Sequence, residues 1–265
     1  MTAASTAPSV RLAQPQSANT AARRARTLLR QAARSVPSHQ PVPIWAIVSA
    51  GLSPILLAGA WLLADTLQPA DYSPLQQTMS VLAGHAATDR WIMTGAIFAA
   101  GICQFITAAG LTAVRASARI LLTVAGATAI GIAASPEPAH GTTTQHLAWT
   151  VVGAVTIAIW PAFVARRAPT RPLILSVNVA CTATAISLAL LGWVFIETQS
   201  GNALGLAERL TTTAQTSWPL VVSVTARRAT TSTATESAAA VIDAQRVSTP
   251  ITAPPAAAAR PRATA

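Results

Sequence analysis

Charge is the scarcest commodity in this chain. Only 10% of its 265 residues are Asp, Glu, Lys or Arg, against about 25% in a soluble globular domain. A chain this poor in charge and 52% hydrophobic points to the bilayer as its solvent. Lysine is absent altogether: all 18 basic residues are arginine, against 8 acidic ones, for a net charge of +10. The arginines flank apolar runs and do not gather into a groove-sized patch, so the basicity is that of a membrane protein and argues against nucleic-acid binding. Cysteine is limited to Cys103 and Cys181, both inside apolar runs, which argues against a disulfide framework. No H-E-x-x-H, H-x-x-x-H or G-x-S-x-G motif occurs, so the common metalloprotease and α/β-hydrolase signatures are missing. About forty polar residues precede the first apolar run and no A-x-A site follows a short one, so a cleavable signal peptide is not expected. Internal or inverted repeats are not visible either.

What is present is a series of long apolar runs. A spanning helix needs about 20 mainly apolar residues. Five runs qualify: residues 44–64, 91–111, 120–135, 147–165 and 173–196, the third beginning nearer Ala116. A sixth, residues 203–224, carries Glu208, Arg209, Thr211, Thr212, Thr213 and Gln215. A charge at the bilayer centre costs about 2.5–3.5 kcal/mol on insertion scales. Glu208 and Arg209 lie near one end, where the cost falls and an arginine can snorkel.

The charge pattern supports six spans. Arg23, Arg24, Arg26, Arg30 and Arg34 precede the first; Arg115 and Arg119 lie between the second and third; Arg166, Arg167 and Arg171 lie between the fourth and fifth; Arg227 and Arg228 follow the sixth. The alternate loops hold Asp65, Asp71, Asp89, Glu137 and Glu197, with Arg90 as their one basic residue. By the positive-inside rule this places both termini in the cytoplasm of a plasma-membrane protein. Trp61, Trp91, Trp149 and Trp193 fall at the expected outer ends and Trp45, Trp160 and Trp218 at or near the inner ends, as an aromatic belt would.

The expected organisation is therefore an all-α bundle of six transmembrane helices over residues 44–228, between a polar Arg-rich tail (1–43) and an Ala/Thr/Pro-rich tail (229–265) that reads as disordered. Within the first tail, Arg23, Arg26, Arg30 and Arg34 share one helical face opposite Ala25, Leu28, Leu29 and Ala32. Such a face suits anionic lipid, at about 1 kcal/mol per arginine near the surface, or it only sets topology.

Residues 71–91, DYSPLQQTMSVLAGHAATDRW, are too polar to cross a bilayer. Ser73 can cap a helix, Pro74 suits the first helical position and Gln76 sits three after the cap. Leu75, Met79 and Leu82 form one apolar stripe, and Gly84 can close the helix in the left-handed conformation. A short amphipathic helix over residues 74–83, lying at the outer interface, is expected.

Three stretches carry a resemblance. DYSPLQQTMSVLAG followed by DRWIMTGAIFAAG, then SPEPAHGTTTQHLAW with His146 opening the fourth span, then GLAERLTTTAQTSWPLVVS with Gly205, Glu208, Arg209 and Trp218, together resemble a bacterial and archaeal membrane family catalogued as domain of unknown function 998. The resemblance covers roughly residues 42–228. It implies a six-helix membrane protein and no activity.

The candidate chemistry lies in the outer loops. Asp71, His85, His140, His146, Glu208 and Arg209 are all expected there. Histidine and carboxylate are zinc ligands, so His146, His140 and His85 are the metal candidates, and His146, Asp71, Glu208 and Arg209 the catalytic ones. A membrane hydrolase using such a site to activate water against lipid at the outer leaflet is one reading, with zinc as its cofactor. The bland alternatives are a helix-capping histidine and an ion-pair lock, with Asp71 a candidate partner for Arg209. Ser80 more commonly bonds a backbone carbonyl than attacks a substrate. A permease would need a polar path near the midplane, but Gln104, Thr107, Asn178, Thr182 and Thr184 suffice only as interhelical hydrogen-bonding groups. From residues alone the chain is an integral membrane protein whose known partner is the bilayer, without a demonstrable enzymatic signature and with no cofactor required.

Overall fold

The structure is a computed structural model that describes Arg23, Thr27, residues 41–165 and residues 173–248. Among the described residues there is no strand. The helices are α1 (Ile44–Asp65), α2 (Met79–Ala83), α3 (Trp91–Gly110), α4 (Ala116–Ala134), α5 (Thr144–Val164), a 3-10 turn (Leu173–Leu175), α6 (Val177–Ser200) and α7 (Leu204–Ser248). Residues His39–Ser232 make one compact unit. Successive long helices from α3 to α6 pack side by side, and α1 packs on α3.

Five of these helices are long and apolar enough to cross a membrane. α7 is the sixth crossing, on geometric grounds. Near its start, Arg209 bonds Asp65 at the end of α1. Farther along, Arg227 donates to the carbonyl of Val42, just before α1 begins, at 2.6 Å. Between Arg209 and Arg227, α7 therefore runs antiparallel to α1. The eighteen residue steps from Arg209 to Arg227 rise about 27 Å, close to the roughly 30 Å of a hydrocarbon core.

The surface carries what a soluble protein would bury. Ile44, Leu62, Trp91, Ile120, Phe195 and Ile196 are all more than half exposed, and α6 buries only Ala180. Lipid tails are as apolar as these side chains, so helices associate through close packing and interhelical hydrogen bonds. Both are present. α3 and α4 touch where Gly101 faces Gly126: a Cβ on either would lie 2.7–2.8 Å from the other's carbonyl oxygen. Ser49 of α1 donates to the Cys103 carbonyl of α3 at 2.8 Å. Arg119 caps the far end of α3 through the carbonyls of Ala108 and Ala109, which suits a cation at a helix C-terminus. The two cysteines are unpaired, as their sequence setting indicated.

Several expectations change. Trp160 is not part of a belt: it is 1% exposed and donates from its indole nitrogen to the Ala118 carbonyl at 2.7 Å. Residues 74–77 are turns, and the helix expected over 74–83 begins only at Met79, capped by Thr78 where Ser73 was expected. Gly84 is not left-handed (φ −76°). The last helix runs on to Ser248, so residues 229–248 are helical where composition suggested disorder. A helix already started has no nucleation cost, and Thr230, Thr231 and Ser232 return their hydroxyls to carbonyls one turn back. Residues 249–265, Arg166, Arg167, Arg171 and most of the Arg-rich N-terminal segment lie outside the described residues.

Candidate functional site

The end of the bundle where α1 stops and α7 starts gathers the chain's polar chemistry. Asp65 closes α1. Arg209, two turns into α7, is 5% exposed. Its Nη2 donates to Asp65 Oδ1 at 2.9 Å and to the Tyr72 hydroxyl at 2.6 Å. Its Nη1 donates to the carbonyls of Pro74, Gln77 and Gly205 at 2.8–3.0 Å. The Trp61 ring lies 5.3 Å from the guanidinium carbon. Tyr72, the chain's one tyrosine, donates its own proton to Asp65 Oδ1 at 2.7 Å. Burial first, then the bond to Asp65, hold that hydroxyl's pKa well above its ordinary value, so it stays a neutral donor. Asp71, the acid expected to pair with Arg209, is exposed on a turn. Asp65 takes that role because it sits on the rigid end of a helix facing α7.

Glu208 points elsewhere, as adjacent helical residues must. Its Oε2 accepts from the backbone N–H of Met79 at 2.6 Å. The Leu206 N–H donates to the Leu75 carbonyl at 3.1 Å. The first turns of α7 therefore grip residues 74–79 through both backbone and side chains.

Ser80 follows immediately, in the five-residue helix α2. Its Oγ lies 3.1 Å from Nε2 of His146. His146 is the third residue of α5, whose N-terminus Thr143 caps. The ring's other nitrogen, Nδ1, is 2.7 Å from the Ser135 carbonyl. A carbonyl only accepts, so Nδ1 carries the proton, and in the neutral ring Nε2 is left bare to accept from the Ser80 hydroxyl. Glu137 Oε1 stands 3.6 Å from the same Nε2. Ser80, His146 and Glu137 thus form a hydroxyl, a base held in one tautomer, and an acid beside it. A nucleophile within hydrogen-bond reach of a base that a third group orients is the arrangement of covalent catalysis.

The donor set does not fit a zinc ion. His85 and His140 are exposed while His146 is buried, and both ring nitrogens of His146 face protein partners. Among the described residues no three His, Cys, Asp or Glu side chains come together as metal ligands. Of the residues singled out from sequence, the structure brings His146, Glu208 and Arg209 to one end of the bundle and leaves Asp71, His85 and His140 at its surface. The partners of Ser80 and Asp65 are not legible in the sequence. A serine in a short loop helix carries no signal of a histidine 66 positions away, and Asp65 looked like an ordinary loop acid.

No curated protein and no solved structure matches the chain. A family model described as protein of unknown function (DUF998) matches residues 52–225, which takes in α2, most of the bundle, and every residue of the Arg209 and His146 clusters named above. Those residues cover well over half of the sequence, and the chain belongs to that family.

Proposed function

We propose that this membrane protein is a serine hydrolase of acylated lipid, with Ser80 as nucleophile and His146 as general base. The observation that carries the reading is the 3.1 Å approach of Ser80 Oγ to a histidine nitrogen whose opposite nitrogen is fixed on a carbonyl. As Oγ attacks an ester carbonyl, Nε2 takes the hydroxyl proton. The imidazolium returns it to the departing alcohol, leaving an acyl-serine. Water, deprotonated by the same nitrogen, then releases the acid. The Glu137 carboxylate stands 3.6 Å from the nitrogen on which positive charge develops. General-base assistance of this kind is worth roughly 10²–10⁴ in rate. Lipid is taken as the substrate class because Ser80 and His146 lie at one end of a bundle of apolar helices of membrane-spanning length.

The protein is read as a plasma-membrane protein with both termini cytoplasmic. The arginine-rich connections support it, and the end carrying Ser80 is then the outer one. The basic N-terminal segment is read as a contact for anionic lipid on the inner leaflet.

A second reading has its own observation. His146 is 3% and Ser80 9% exposed, and the ring ties α2 to the end of α4, so the cluster can serve as a fastener. An alkyl fluorophosphonate, which modifies only activated serines, separates the two. Wild-type protein in mild detergent is expected to be labelled at Ser80. Labelling should vanish in Ser80→Ala and fall about 100-fold or more in His146→Ala. Unlabelled wild-type protein, with Ser80→Ala changing thermal stability alone, would leave the fastener and remove the hydrolase.

A further inference from the structure

We infer that Glu208 is a positioning residue for Ser80, a proposal that rests on the hydrolase reading and deepens it. A five-residue helix cannot hold itself in water or at an interface, because nucleation is unfavourable and few bonds follow it. α2 must be held from outside, and the geometry names what holds it. The N–H of Met79, the residue before Ser80, is bound by a carboxylate oxygen from 129 positions away. The other side of the turn is capped locally: Thr78 Oγ1 accepts from Val81 N–H. Ser80 thus lies between one cap from its own segment and one from α7.

The backbone before it is immobilised by the same helix. Arg209 binds the carbonyls of Pro74 and Gln77, and Leu206 N–H binds that of Leu75. Gly205 permits this approach: a Cβ there would collide with the carbonyl oxygens of Gln77 and Pro74. Arg209 has an evident structural role besides, in its pair with Asp65. Among the described residues, the Glu208 carboxylate accepts from the Met79 N–H alone, and that bond goes to the turn carrying Ser80. The distance between Ser80 Oγ and His146 Nε2 is therefore set by α7, which contributes no group to the reaction itself.

Glu208→Gln and Glu208→Ala test this. Glutamine keeps an oxygen that accepts from Met79 N–H and removes the charge; alanine removes the acceptor. Second-order rates of fluorophosphonate labelling at Ser80 are compared with melting temperature for each. Glu208→Gln should label within about threefold of wild type. Glu208→Ala should lose roughly tenfold to a hundredfold, the scale of a 1 Å misplacement, and His146→Ala should cost correspondingly less in that background than in wild type. A uniformly structural role would lower stability without this rescue by glutamine. Equal labelling of Glu208→Ala and wild type overturns the proposal, as does a glutamine variant that falls as far as alanine. Should Glu208→Ala fail to fold, Glu208→Met keeps the stem packed while removing the acceptor, and the same outcomes apply. If wild-type protein is unlabelled, it is the hydrolase that fails, and amide hydrogen exchange then decides whether Glu208 orders the turn: exchange at Met79 that does not quicken in Glu208→Ala or Glu208→Met removes the clamp as well.

Discussion

Single residues at the polar end divide into those that hold the site and those that face solvent. Arg209 is the clearest of the first kind. Its guanidinium serves one carboxylate, one phenol and three carbonyls, a set that needs a planar fork with several donors. Removing it leaves Asp65, whose side chain is 15% exposed, without its cation. Breaking a buried pair by deleting one partner costs about 3–5 kcal/mol. Arg209→Ala is therefore expected to lower the melting temperature in detergent far more than His85→Ala, whose ring is exposed. Arg209→Lys should rescue little, because one ammonium cannot reach both groups of acceptors. Equal, small effects of the alanine variants in a thermal-shift series would remove the lock. The partner of Arg209 also shows where residue-level reading stops. The charge and the cost of burying it were plain from the sequence, but Asp65 and Asp71 stood equally near α1, and only the end of a rigid helix decided between them.

At the scale of elements, the long helices follow their composition and the short one does not. Runs of about twenty apolar residues have one stable form in a bilayer, since every backbone group must be satisfied within the segment. The starts and ends of the first five accordingly fall within a few residues of expectation. Residues 74–83 had a good helical pattern and capping residues, yet the first four form turns. Local propensity lost there to tertiary bonds, because α7 takes the carbonyls that a helix would have used internally. The contact of α3 with α4 is equally specific. With Gly126 so close, Gly101→Leu must push the helices apart, at a cost of about 1–3 kcal/mol or more. Gly95, by contrast, has nothing within 4 Å of its Cβ position. Gly95→Leu is expected to leave the melting temperature nearly unchanged while Gly101→Leu lowers it. Similar melting curves for the two variants would contradict the close contact.

For the whole molecule, the count of crossings carries most of the consequences. Five helices are apolar enough to span; α7 completes six through its contacts with both ends of α1. With six crossings Arg227 and Arg228 share a side with the N-terminal arginines, as the positive-inside rule requires. A phosphatase or fluorescent reporter fused after Arg228 is expected to report a cytoplasmic position. A reporter active only outside the cell would leave five crossings and place Ser80 on the other face relative to the C-terminus.

The sequence by itself determined the class of the protein, the number and order of its spanning helices and its expected orientation. Each of these depends on local quantities: length of apolar run, loop charge, hydropathy. It also gathered the polar loops on one side, since alternate connections of a bundle must emerge together. Tertiary structure alone decided which of those polar residues meet. Ser80 and His146 are 66 positions apart, Glu208 and Met79 129 apart, and no periodicity links such pairs. Their meeting depends on how closely the helices pack and on which carbonyls a short loop gives up. Those are properties of the assembled bundle, absent from any stretch of chain taken alone.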